Sequence, residues 1–123
     1  MNKKDLEHFK KKLLGEKAAL EEELAHVGQH SSNKPNGWEA TSKDMDIDAA
    51  DENEVADKLE ELEENAGIVT QLQKQLTEVL AALERIEKGT YGVCENTNKP
   101  IEKARLEANP AARTSVAEAS KPK

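Results

Sequence analysis

A chain of 123 residues, 36% hydrophobic and 35% charged with a net charge of −7, has room for one domain and little with which to fill it. Its aromatic residues are Phe9, Trp38 and Tyr91 alone, which excludes a thick globular core and leaves either disorder or helices with a narrow apolar seam. No run approaches the roughly 18 apolar residues that span a bilayer, and the lysine-rich start lacks the apolar centre of a signal peptide. The single cysteine, Cys94, admits no intramolecular disulfide and fits a reducing, cytoplasmic setting.

Periodicity decides for helices. Over residues 3–27, Leu6, Leu13, Leu20 and Val27 fall seven apart, and Phe9, Leu14 and Leu24 widen the stripe. Gly15 interrupts it, at about 1 kcal/mol relative to alanine. Residues 28–43, "GQHSSNKPNGWEATSK", carry Gly, Pro, Asn and Ser and read as a loop. From about Asp51 to Lys88 a second helix carries Val55, Leu62, Val69, Leu76 and Leu83 in an unbroken seven-residue ladder. Leu72, Val79 and Ile86 sit three residues after ladder members, and Leu59, Ala66 and Leu80 four after. Asp51 is placed to cap the start, acids fill the first turns, and Lys88–Gly89 provides the stop.

Two such stripes, each too narrow for a core alone, satisfy one another as an antiparallel helical hairpin. The expected fold is therefore all-α: a coiled-coil hairpin over 1–88, with its loop and tip at about 28–57, and a small C-terminal lobe over 89–123. At 1.5 Å per residue the second helix would be about 57 Å long and the first about 37 Å, an overhang of roughly 20 Å. After Gly89, "TYGVCENTNKP" is rich in turn formers, and "IEKARLEA" has the length of two helical turns.

The charge is unevenly placed. Residues 43–66 hold eleven acids (Asp44, Asp46, Asp48, Asp51, Glu52, Glu54, Asp57, Glu60, Glu61, Glu63, Glu64) against Lys43 and Lys58, so the remainder of the chain is slightly positive. With no matching basic block, direct binding to a nucleic-acid backbone is not expected. A solvated charged face explains most such runs. Concentration near one end of the second helix points equally to a cation or a basic protein surface.

The chemistry-bearing residues form no enzyme site. Asp44, Asp46 and Asp48 match positions 1, 3 and 5 of a calcium loop, but position 6 is Ala49 instead of glycine and position 12 is Val55 instead of glutamate. His26 and His30 are four apart with no third ligand in view. Cys94 has no histidine or basic cluster near it in sequence to support a thiolate. No Ser/His/Asp set and no phosphate-binding glycine loop occurs.

The stretch "ALERIEKGTYGVCENTNKPIEKARLEANPAA" carries the chain's most specific pattern. With the hairpin before it, it resembles the DksA/TraR family of bacterial transcription regulators, in which a stem helix ends in "RIxxGxYGxC" followed by "CGxxI", "RLEAxP" and a second cysteine pair. Arg85, Ile86, Gly89, Tyr91, Gly92, Cys94, Ile101, Arg105, Leu106, Ala108 and Pro110 fit that pattern. The resemblance places the family's four zinc ligands on Cys94, Thr97, Ser115 and Glu118, of which one is still a cysteine. No bound zinc or other cofactor is therefore expected, and Tyr91, Ile101, Leu106 and Val116 would pack the lobe instead.

The resemblance also implies a partner. Family members insert the hairpin into the secondary channel of RNA polymerase and bring acidic tip residues towards its catalytic magnesium. On this chain the tip falls on Asp48 and Asp51, with Glu54 and Asp57 as a rival register. The positions that contact the alarmone ppGpp in the best-known members fall on Glu78, Asn109 and Ala119, none of them basic. The implied protein is a monomeric, non-enzymatic regulator that reads no DNA sequence and uses no membrane. A stress- or dormancy-associated coiled-coil protein with the same fold, and a homodimeric coiled coil without a hairpin, are the alternatives.

Overall fold

Asn2 begins the first helix by accepting the Asp5 amide on its Oδ1 at 2.8 Å, a side-chain cap of the kind that satisfies one of the free N–H groups of a first turn. The computed structural model describes residues 1–30, 37–41 and 52–115 of the chain. In order, these form α1 (Lys3–Val27), β1 (Gly28–His30), β2 (Trp38–Ala40), α2 (Glu52–Lys88) and α3 (Lys103–Ala108). The fold is mostly helical, a helical hairpin followed by a small C-terminal lobe. Asp44, Asp46, Asp48, Ala49 and Asp51, and at the far end Val116, Glu118 and Ala119, lie outside the described residues.

The helix bounds agree with the apolar periodicity to within a residue. The loop expected over 28–43 does not hold throughout. Gly28 pairs with Ala40, Gln29 with Glu39 and His30 with Trp38 in a short antiparallel ribbon. Turn-forming composition hid it, because three-residue strands are too short to show an alternating pattern. His26 lies in the last turn of α1 and His30 on β1, where its ring is 3.9 Å from that of Trp38 between centroids, so the two do not share a helix face.

Two compact units divide the chain. The first comprises Met1–Ala18 with Thr77–Lys123 and the second Ala19–Leu76. In the first, Phe9, Leu13, Val79 and Ala82 from the helices are buried, as are Tyr91, Cys94, Ile101, Leu106, Ala111 and Ala112. In the second the buried set is Leu20, Leu24, Val69, Leu72 and Leu76. The stripe is narrower than the sequence implies. Leu14 and Leu59 are 45% and 47% exposed, and Ala66 is exposed as well, so these three do not widen it. At 100° per residue, Leu14 stands one step round the helix from buried Leu13, which carries it off the seam.

α2 stops in a Schellman motif. Gly89 adopts φ +78°, Thr90 N–H donates to Arg85 O at 2.9 Å and Gly89 N–H to Ile86 O at 3.3 Å. Neighbouring Leu13 and Leu14 then make an internal control for the seam. Leu13→Ala should lower the unfolding free energy by about 2–5 kcal/mol, and Leu14→Ala by about 0.5 kcal/mol or less, in urea titrations.

Candidate functional site

The lobe begins with a tight turn whose geometry centres on Cys94. Val93 bridges Pro100, Cys94 N–H donates to Lys99 O at 2.8 Å, and Asn98 N–H donates back to Cys94 O at 2.9 Å. Asn98 takes a left-handed φ of 59°, which asparagine tolerates better than most residues, and Gly92 sits at φ +83°. The positive φ is what favours glycine at 92; a Cβ there would otherwise collide only with the end of the exposed Met1 side chain, which can move aside. Ile101 N–H then closes the turn onto Gly92 O at 2.8 Å.

This turn brings Cys94, Thr97 and Ser115 together. The buried Cys94 sulfur receives the Thr97 hydroxyl and the backbone N–H groups of Ser115, Asn96 and Thr97. The Thr97 hydroxyl bond and these amides pull the thiol down to about 7 against the opposing effect of burial. A thiolate here is thus supported by hydroxyl and amide donors, with no histidine or basic cluster; the residue types alone did not reveal this. The donors lie 2–21 residues from Cys94 in sequence, and only the fold collects them.

As a zinc site the same set does not fit. Beside the Cys94 thiol the expected positions 97 and 115 are Thr and Ser, and hydroxyls are poor zinc ligands beside thiolate, imidazole or carboxylate. Among the described residues, no group of three or more His, Cys, Asp or Glu side chains could hold a metal ion. Glu118, the fourth expected position, lies outside the described residues.

Protein contacts close the lobe. Tyr91 donates its buried hydroxyl to Pro110 O at 2.8 Å, and burial pushes that phenol up to about 12. Arg105 Nε donates to Thr114 O at 2.6 Å, and Glu95 N–H to Arg113 O at 3.0 Å. Arg113 makes a forked contact to Glu78, through Nε at 2.6 Å and Nη2 at 3.3 Å, which raises the guanidinium pKa further. Helix α3 is tied to α1 by Glu107, which accepts from Lys12 and pairs with His8, both at 2.8 Å; the Lys12 hydrogen bond lowers the Glu107 carboxyl pKa. Lys103 reaches Asp5 at 3.1 Å beside them. Of the residues expected to pack this lobe, Tyr91, Ile101 and Leu106 are buried, while Val116 lies outside the described set.

The alarmone positions and the acidic positions are only partly described. Glu78 is engaged by Arg113, Asn109 follows the end of α3 and Ala119 lies outside the described residues. Glu54 and Asp57, three apart on α2 and both exposed, share one face of the helix. Their rivals Asp48 and Asp51 fall outside the described residues.

A helical hairpin ending in a hydrogen-bonded turn of zinc-finger type is the class these features define. Comparisons with known proteins agree with it. The family model of the prokaryotic dksA/traR C4-type zinc finger matches residues 89–122. The RNA polymerase-binding transcription factor DksA of Caulobacter vibrioides is 32% identical over 120 residues, 94% of this chain and 74% of that protein. General stress protein 16O of Bacillus subtilis is 54% identical over 41 residues, 33% of this chain and 25% of that protein. The structure of transcription factor DksA2 from Pseudomonas aeruginosa superposes with a TM-score of 0.70 at 23% identity, covering 97% of this chain and 83% of the other. The chain belongs to the DksA/TraR family.

The depressed Cys94 pKa carries a sign that can be checked. A thiol lowered from 9.0 to about 7 by folding adds stability that is complete above the unfolded value and is lost as pH falls through the folded one. The wild-type melting temperature should therefore rise from pH 7 to pH 9 relative to that of Cys94→Ala, as followed by circular dichroism. A parallel pair of curves would show the thiolate contributes nothing.

Proposed function

We propose that the chain is a non-enzymatic transcription regulator that binds RNA polymerase and presents acidic side chains of the hairpin at its secondary channel, without reading DNA sequence. The observation that carries this reading is the relationship to the Caulobacter factor, which runs through both helices and the lobe instead of the lobe alone. The negative charge of residues 43–66 supports it, since carboxylates carried to a magnesium-bearing centre can alter catalysis without a folded active site of their own. The acting pair in this reading is Asp48 and Asp51, with Glu54 and Asp57 as the second choice. In this reading the protein works as a cytoplasmic monomer.

A pull-down with core RNA polymerase should retain the chain. Replacing Asp48 and Asp51 by asparagine should then abolish its effect on promoter transcription in vitro and leave the pull-down intact. Loss of both together would make these residues docking contacts instead. The lobe is metal-free in this reading. Purified protein should contain less than a tenth of an equivalent of zinc per chain by elemental analysis, and a chelator should leave its melting temperature unchanged. At the family's alarmone positions this chain carries Glu78, Asn109 and Ala119, none of them basic, and the Arg113 guanidinium beside Glu78 is already engaged by that carboxylate. Transcription assays should accordingly show little added effect of ppGpp through the lobe.

The match to General stress protein 16O, confined to a third of the chain, favours a second reading, a stress- or dormancy-associated coiled-coil protein that keeps the family fold without regulating polymerase. The same pull-down separates the two.

A further inference from the structure

Asn65 stands where an apolar row of α2 should carry a leucine. The row runs back in sevens from Ile86 through Val79 and Leu72, the last two buried, and its next position is 65. There the side chain is a half-buried carboxamide whose Nδ2 donates to the carbonyl of Thr41 at 2.8 Å. A polar side chain in a helical seam weakens packing, and its use is to require one particular partner.

Thr41 is held on both sides. Its N–H donates to Val27 O at 3.0 Å, the last residue of α1, and its carbonyl accepts from α2. One step earlier Ala40 pairs with Gly28. Gly28 has no room for a side chain, since a Cβ would collide with the Glu39 carbonyl oxygen and lie 3.2 Å from Val69 Cγ2. The end of α1 and α2 thus converge on one residue, next to the ribbon. In the sequence, Asp44, Asp46, Asp48 and Asp51 all follow within ten residues of it.

We propose that Asn65 is a positioning residue whose carboxamide fixes the Thr41 peptide and so sets where the chain departs towards its acidic stretch. Helix packing alone would place leucine at 65, because that residue would bury apolar surface and leave no amide to satisfy. The anchor stands on geometry; its consequence for transcription rests on the function proposed above.

Two variants of the full chain separate the bond from the packing. Asn65→Asp keeps the side-chain shape but, ionised, offers only acceptors to a carbonyl. Asn65→Leu completes the apolar row. In both, exchange of the Thr41 N–H, which is held by Val27 O and freed only when the anchored segment opens, should run about five- to tenfold faster than in wild type by NMR, because opening then breaks roughly one hydrogen bond fewer. Asn65→Leu should nevertheless melt no lower than wild type. Below about pH 4 the introduced carboxyl regains an O–H donor, so Thr41 exchange in Asn65→Asp should return towards the wild-type rate measured at the same pH. A role in packing alone predicts no such return. Both variants should lose the effect on transcription while still being pulled down with core RNA polymerase. Wild-type exchange at Thr41 in both variants would overturn the proposal, as would accelerated exchange with transcription unaffected. A wild-type chain without effect on transcription would instead bring down the functional reading, leaving exchange to decide the anchor.

Discussion

Burial of leucine and valine at seven-residue spacing is the constraint from which the rest of this molecule follows. With three aromatic side chains available, most of the apolar surface this sequence can remove from water lies in these stripes. The seam is accordingly strict. Leu13 is fully buried while Leu14 beside it is 45% exposed, and Val69 and Leu72 are buried while Ile68 is not. In so narrow a stripe there is no spare apolar area to mask a polar substitution, which is why one asparagine at a seam position is informative.

The lobe shows how a metal-site turn can keep its shape when its ligand set has changed. Zinc fixes such a turn by drawing four thiolates to one point. Here one sulfur remains, and the groups around it are donors: a hydroxyl and three amide N–H groups converge on Cys94. The backbone that would bring ligands together is tied instead through Tyr91 to Pro110, Arg105 to Thr114 and Glu95 to Arg113, around a centre of Leu106, Ile101 and two alanines. Individually these are ordinary hydrogen bonds, worth about 1 kcal/mol each net. Together they tie the segment 109–115 to the rest of the lobe. A lobe closed in this way answers to the ionisation of one thiol and to ion pairs such as Glu78–Arg113.

Much of the fold was legible beforehand because helices announce themselves in local spacing. Both long helices, the glycine stop after Lys88 and the turn around Cys94 follow from residues close together in the chain, where backbone preference and amphipathic period act alone. Family membership was legible for the same reason, since its pattern from Arg85 to Pro110 is contiguous. Less legible was the ribbon at 28–30 and 38–40, whose pairing lies between two strands too short to carry a pattern. The widening residues Leu14, Leu59 and Ala66 were misplaced because a heptad list does not say how wide the partner surface is.

By itself, then, the sequence determined the helical class, the seam positions, the concentration of negative charge and the reduction of a four-cysteine set to one. Each depends on residue type and local order alone. The tertiary structure decided which groups surround the Cys94 sulfur, that Glu78 is taken up by Arg113, and that Asn65 meets the Thr41 carbonyl. These pairings join residues as many as 35 positions apart, and hydrogen bonds depend on direction and on distances of about 3 Å, which no periodicity encodes.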